Sequence, residues 1–320
     1  MVEVSVCVVM YNARRTAKRC AEALFSQSMS RDMEFVFVDD GSGDGCAEML
    51  RDAVTRFPEV ADRTKIVVLP ENTGCGNARA RAYAECSGKY VICCDVDDVP
   101  HRQWCELLHR KAVAEDADMV FCGYREMWGD GRCIERNGGA ASTPEEAIAE
   151  LVTGRAAGSL WNRMFRREVA DLDWRSQMPP DIRCCEDLLM NLIMLPRCRK
   201  IARVDSVLYD YVHSDGSLVM ALDSRSRRSI FAVMKSIVER FEGKLPFSVL
   251  QFAMRRALYA ALSADVLSAK QWHAMWRRAK VGMWRDHNFG LLQKCVFYLA
   301  CINFTLAHAV CRRRGRGNCG

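Results

Sequence analysis

The 320-residue chain has 17 cysteines but no Cys-x-x-Cys pair. Its two adjacent pairs, Cys93-Cys94 and Cys184-Cys185, have the wrong spacing to chelate zinc. The odd count, the length and a start (Met1-Val2-Glu3) that runs straight into an apolar stretch argue against a signal peptide and a disulfide framework. The thiols are therefore expected to be reduced, in a cytoplasmic setting, most of them as small core residues. Proline is scarce, at 8 residues, and low complexity is confined to Arg312-Arg313-Arg314-Gly315-Arg316, which excludes collagen-like and disordered chains. The Gly-x-Gly-x-x-Gly signature of dinucleotide folds is missing: Gly41, Gly43 and Gly45 alternate, and no helix-packing glycine follows. One apolar run, 291–310, approaches membrane-spanning length. Gln293, Lys294, Thr305 and His308 gather on one side of it at ~100° per residue, so a packed or interfacial helix is expected rather than a span.

Acidic residues are also scarce after position 220. Residues 221–320 hold 18 Lys and Arg against 5 Asp and Glu, whereas residues 1–220 hold 28 against 35. Single cores stop growing at ~250–300 residues, so the charge step divides the chain into an acidic 1–220 unit and a basic, helical 221–320 extension. The extension's charge predicts contact with an anionic surface. Trp272, Trp276 and Trp284, with Arg277, Arg278 and Arg285, suit a membrane headgroup boundary, the competing reading being a helical lid with aromatics in its core. No aromatic or fold motif accompanies Arg312 to Arg316, and no nucleic-acid partner is expected.

The first half alternates two periodicities. Short apolar runs at 4–10, 35–38, 66–69 and 90–94 read as buried strands, and helix-like segments at 13–27, 46–57 and up to 84 separate them. That pattern predicts an α/β fold, a mostly parallel sheet with helices on both faces. Further on, 118–124 reads as a strand, Trp128-Gly129-Asp130-Gly131 as a hairpin turn, 144–153 as a helix capped by Thr143, and 184–195 as another helix. In such a sheet ligands bind outside the carboxyl ends of the strands. The residues that end these strands are polar: Tyr11-Asn12, Asp39-Asp40, Asn72, and Asp95, Asp97 and Asp98.

Three carboxylates in Asp95-Val96-Asp97-Asp98 repel one another, so a strand end tolerates them where a cation or solvent offsets the charge. Oxygen ligands of this kind suit Mg²⁺ or Mn²⁺ held jointly with phosphates. Asp39-Asp40-Gly41-Ser42-Gly43-Asp44-Gly45 combines a carboxylate able to accept from a base or ribose with glycines for a sharp turn, and Asp44 suits the start of the following helix. Asn72-Thr73-Gly74-Cys75-Gly76-Asn77-Ala78-Arg79 permits close backbone approach and sets arginines in a first helical turn, where phosphate binds.

In order and spacing, the chain resembles the family 2 glycosyltransferases, inverting enzymes of GT-A fold that use nucleotide-diphosphate sugars. The matching motifs are Val8 to Ala13, Val38 to Ser42, Asn72-x-Gly74 leading to Ala78-Arg79, Gly88 to Val91, Asp95-x-Asp97-Asp98, and Glu186-Asp187 with Leu188-Leu189. The resemblance implies a nucleotide-sugar half at 1–125 and an acceptor-side half at 126–220. Asp40 would hold the base (uracil), with Tyr11 and Asn12 lining its pocket, Arg79 near base and phosphates, and Asp97 at the ribose or sugar. Asp98, with Asp95, would ligate Mn²⁺ or Mg²⁺, and Asp187 would be the general base that takes a proton from a glycan or lipid-linked acceptor. The sequence departs from the pattern at Ala80 and at Val212, where the family has Asn and Arg; His213 is a candidate substitute on the phosphate side. Trp161-Asn162-Arg163 and Glu186 are expected near the acceptor cleft. A nucleotidyltransferase, or a non-catalytic subunit binding sugar nucleotides or glycans, are the alternative readings.

Overall fold

The computed structural model describes residues 2–179, 182–213, 223–287 and 289–314. Nine strands form one sheet: β1 (Val4–Met10), β2 (Met33–Asp39), β3 (Thr64–Val68), β4 (Tyr90–Asp95), β5 (Val99–Pro100), β6 (Met119–Trp128), β7 (Cys133–Arg136), β8 (Arg163–Arg166) and β9 (Ile201–His213). Their order is β3-β2-β1-β4-β8-β6-β9-β5, with β7 beside β6. The four leading strands, β3 to β4, are mutually parallel. Beyond them the sheet is mixed: β8 runs antiparallel to β4 and β6, while β6 and β9 pair in parallel.

Alternation along each strand sends side chains into two separate apolar layers. In β4, Val91 and Cys93 join one layer and Tyr90, Ile92 and Cys94 the other. Helices Ala17–Phe25, Cys46–Val54 and Trp104–Glu115 cover the second layer; Cys75–Ala84, Pro144–Thr153 and Glu186–Met194 cover the first. The expected helix at 46–57 is interrupted because Pro58 begins a new turn, Pro58–Ala61. Thr143 caps Pro144–Thr153 as expected, its hydroxyl accepting the Glu146 N–H at 3.2 Å. The hairpin turn after Trp128 forms, with Gly131 at φ +85°. The sixteen described cysteines are free thiols, most of them buried in these layers.

Helices Ser224–Phe241, Phe247–Ala264, Ala269–Ala279, Leu291–Ile302 and Phe304–Arg314 add to the first layer, so the apolar core crosses the charge step at 220 without a break. Trp272 and Trp276 stack within it at 5.6 Å, and of Trp272, Trp276 and Trp284 only Trp284 is exposed. The 291–310 run is two helices rather than one. Asn303 leaves helical geometry (φ −144°, ψ 93°), and its Oδ1 accepts the Leu306 N–H at 3.0 Å, ending one helix and capping the next. No helix among the described residues is long and apolar enough to cross a membrane. Residues 214–217, which follow the phosphate-side candidate His213, lie outside the described residues, as does the tail from Gly315.

Candidate active site

The polar ends of the parallel strands β1, β2 and β4 lie side by side. Asp40 follows β2 with its carboxylate buried, and both oxygens are engaged: Oδ1 accepts from the Thr73 N–H at 2.8 Å and the Thr73 hydroxyl at 2.7 Å, and Oδ2 accepts from the Gly74 N–H at 2.9 Å. Asp40 thus fastens the 72–74 loop to the strand end. Gly41 makes this approach feasible: at φ +72°, a Cβ there would lie 2.5 Å from the Glu71 carbonyl carbon. Asp39 accepts from the Ser42 N–H at 2.9 Å and shapes the same turn. Asn12, at φ +50°, crosses from β1 to this turn, its N–H donating to Ser42 Oγ at 2.8 Å and its Oδ1 accepting from the Gly43 N–H at 3.2 Å. Tyr11 beside it keeps its ring exposed. Asp44 accepts from the Cys46 N–H at 3.1 Å, at the start of Cys46–Val54.

Arg79 is the hub of the site. Its side chain, on Cys75–Ala84, is almost wholly buried, and its guanidinium meets three carboxylates: Asp95 at 3.5 Å, Glu186 at 3.5 Å, and Asp187 in the shortest contact of the three. One cation thereby joins the end of β4 to the first turn of Glu186–Met194, an expected metal ligand to the expected base. Arg79 is the fifth residue of Cys75–Ala84, past its first turn, and Cys185, at φ +64°, precedes the two acids that Arg79 meets.

Burial pushes the Asp95 carboxyl up to about 6, against the opposing pull of Arg79. Burial also raises Asp187 well above the usual carboxylate range, again opposed by Arg79, and it raises Asp97. Removing the guanidinium would therefore drive Asp187 further toward its neutral form. Arg79→Met is expected to shift the acid limb of the pH–rate profile, which reports ionisation of Asp187, to higher pH and to lower kcat most at acidic pH; an unshifted limb would show that Arg79 does not set this charge.

Asp98 is wholly buried, and burial, then the adjacent Asp95 charge, push it up to about 9. Its Oδ1 accepts from the Val212 N–H at 2.8 Å, while Oδ2 is buried without a partner. An orphaned carboxylate oxygen next to Asp95 fits a hard divalent cation that takes one or two carboxylates and completes its shell from phosphates. Among the described residues, no group of three ligating side chains is gathered there or elsewhere. The Val212 contact also explains a departure noted in the sequence: the position acts here through its backbone, which is indifferent to loss of the arginine side chain.

The Trp161-Asn162-Arg163 stretch, expected near the acceptor cleft, is buried and acts through the chain around it. Asn162 and Arg163 are buried, Asn162 Nδ2 donating to the Cys122 carbonyl at 3.3 Å and Arg163 Nη1 to the Ser159 carbonyl at 2.6 Å. Burial lowers the Arg163 guanidinium to about 10. Trp161 lies flat on Tyr209 at 4.5 Å. The stretch instead supports the 158–159 loop, to which Asn191 Nδ2 donates at 2.9 and 3.0 Å, and the same amide reaches the Asp187 carbonyl at 2.9 Å. His213 stacks on Trp128 at 4.3 Å, its Nε2 3.5 Å from Glu126, so its described contacts are with the β6–β9 edge.

Of the remaining contributors, Arg19 is the one that no sequence motif singles out. Thr73 and Ser42 supply the loop contacts, Arg19 donates to the Asp97 carbonyl at 2.6 Å, and the Tyr209 hydroxyl accepts from the Asp95 N–H at 3.0 Å.

A parallel α/β half with carboxylates at its strand ends is thus joined to a mixed half, and Arg79 ties those ends to the Glu186-Asp187 pair. The chain belongs to glycosyl transferase family 2, whose profile matches residues 5–172. EpsH of Bacillus subtilis (strain 168), named as a glycosyltransferase, is 26% identical over 250 residues, covering 76% of this chain and 64% of its own length. TuaG of the same organism, named for teichuronic acid biosynthesis, is 28% identical over 153 residues, 47% of this chain and 59% of its own. The chain thus spans less than two thirds of either relative. The fold is that of S. aureus TarS 1–349, solved with UDP-GlcNAc, at a TM-score of 0.68 and 16% identity, covering 99% of this chain and 92% of that one.

Proposed function

We propose that the protein is an inverting, divalent-cation-dependent glycosyltransferase that moves a sugar from a UDP-sugar to a hydroxyl of a glycan or lipid-linked acceptor in surface polysaccharide synthesis. The observation that carries this reading is the Arg79 cluster, which brings Asp187 within one guanidinium of Asp95. Inverting transfer needs a carboxylate that takes the acceptor's proton as its oxygen attacks the anomeric carbon. Asp187, with part of its carboxylate exposed and its ionisation supported by Arg79, suits that role. Asp98 and Asp95 would hold Mn²⁺ or Mg²⁺, which supplies charge stabilisation for the departing diphosphate. Asp97 would meet the ribose or sugar, Tyr11 and Asn12 would line the base pocket, and Asp40 would hold the loop that closes it while offering its remaining lone pairs to the base. Glu186 would tune Asp187 from beside it.

The donor reading draws on the UDP-GlcNAc complex of TarS and the acceptor reading on the name of TuaG. Residues 1–125 would bind donor and 126–220 acceptor, and the basic extension supports work in the cytoplasm at a membrane face. Thermal-shift measurement with UDP, GDP and CDP, with and without Mn²⁺, tests the reading. UDP with Mn²⁺ is expected to stabilise most, by about 2.7 kcal/mol at a hundredfold excess over Kd. A larger shift with GDP would overturn the uridine assignment, and no shift with any nucleotide would favour a non-catalytic glycan-binding subunit.

A further inference from the structure

Helix Leu291–Ile302 is apolar on opposite faces. Val296, Phe297 and Ala300 point into the core, yet Leu291, Cys295, Tyr298 and Ile302, spaced four, three and four apart, lie on the outside. Ile302 is 86% exposed, Leu291 71% and the adjoining Trp284, stacked on Tyr298 at 5.3 Å, 56%; Leu292 and Leu306 are half exposed beside them. A helix that is apolar all round is at home in a core or in lipid. The two polar residues of this helix do not relieve the ridge, because both are engaged locally. The Gln293 Oε1 accepts the Gly290 N–H at 2.9 Å, and the Lys294 Nζ donates to the Trp284 carbonyl at 2.9 Å.

Charge around the ridge is predominantly basic, although exposed Glu242 pairs with Arg278 and exposed Asp265 lies 3.5 Å from His308. Residues 269–311 include Lys270, Arg277, Arg278, Lys280, Arg285 and Lys294, and their single acid, Asp286, is buried against Arg255 at 3.0 Å. Arg285 is exposed next to Trp284, and Lys280 is exposed one residue beyond Ala279, which ends the neighbouring helix Ala269–Ala279. A twofold contact with a second copy would set this basic rim against itself. An anionic lipid surface complements both the apolar ridge and the rim.

We propose that the ridge formed by Trp284, Leu291, Leu292, Tyr298, Ile302 and Leu306 docks the protein onto an anionic bilayer, with the helix lying in the headgroup plane. At 12 residues, about 18 Å, the helix is too short to span the hydrocarbon but suits an interfacial seat. The inference deepens, and rests on, the membrane-face location proposed above, and it assigns that contact to particular residues.

Sedimentation with phosphatidylglycerol-containing vesicles and with pure phosphatidylcholine vesicles tests it, with UDP thermal shift measured on the same samples. The native chain is expected to sediment with the anionic vesicles only and to be released at ~1 M salt, where screening falls to ~3 Å. The Leu291→Glu/Ile302→Glu double variant is expected to lose about a hundredfold in partitioning and to keep the native UDP shift. Equal binding to both vesicle types, no binding, or binding undiminished in the double variant overturns the docking. A concentration-dependent dimer that the double variant dissolves, without vesicle binding, assigns the ridge to a second copy instead. Loss of UDP response in the native chain together with intact vesicle binding would overturn the enzymatic reading and leave the docking standing.

Discussion

Asp187→Asn is expected to lower kcat for sugar transfer by about a thousandfold while leaving donor binding within about twofold, because it removes the proton acceptor and little else. Asparagine has nearly the same shape and keeps a carbonyl oxygen for Arg79, so the joint between β4 and Glu186–Met194 survives. What it cannot do is accept a proton from an attacking hydroxyl. The effect should therefore fall on kcat and kcat/KM alike, the pattern of an interaction made only in the transition state. Glu186→Gln is the comparison: it touches the same guanidinium at 3.5 Å but is assigned no proton, and its loss should be tens of fold smaller. Steady-state kinetics with UDP-sugar, together with calorimetric binding of UDP, separate the outcomes. Donor affinity lost in Asp187→Asn would make the residue a structural clamp, and transfer retained at near-native rate would remove it from the chemistry.

The parallel half of the fold and the polar strand ends were legible because β1, β2 and β4 are short, continuous apolar runs that stop at Asn or Asp, a pattern set by local chemistry alone, whereas the edge strand β3, expected to be buried, is only partly so. Thr143 capping and the Trp128 hairpin were legible for the same reason. The thirteen-residue strand β9, which supplies both Tyr209 and the Val212 amide, was not. Its pairing with β6 shifts register at Cys122/Gly123 and again at Gly123/Arg125, and each irregularity breaks the alternation by which a strand is read. The direction of Arg79 was hidden too, since its three partners lie 16, 107 and 108 residues away and only the fold joins them. The burial of Asn162 and Arg163 runs against composition, for charged and amide side chains are usually exposed. The apolar run at 291–310 looked like one helix because Asn303, which divides it, is neither proline nor glycine.

Asp98→Ala is expected to abolish cation-stimulated transfer, by a thousandfold or more on the order of what an electrostatic stabiliser of a leaving group contributes, and to leave the folded chain intact. Burial makes the Asp98 carboxylate a cost to the folded chain at neutral pH, so its removal is tolerated. Burial, then Asp95, raise its folded pKa to about 9, far above its value of about 3.9 in an unfolded chain. A raised folded pKa contributes stability that is fully present below the unfolded value and is lost as pH rises through the folded one. Between about pH 4 and 9 the unfolded chain has released this proton and the folded chain keeps it. Cation-free native protein should therefore lose up to about 1.4 kcal/mol per pH unit through this group across that window. In Asp98→Asn, which keeps an acceptor for the Val212 N–H but cannot titrate, that slope should disappear. For the same reason, loading Mn²⁺ at neutral pH should release a proton from the native chain and bind more tightly as pH rises. Melting curves from pH 5 to 9 and calorimetry in buffers of differing ionisation enthalpy measure both. Proton-independent Mn²⁺ binding, with an Asp98→Asn melting profile parallel to that of the native chain, would mean that the orphaned oxygen is not where the cation sits.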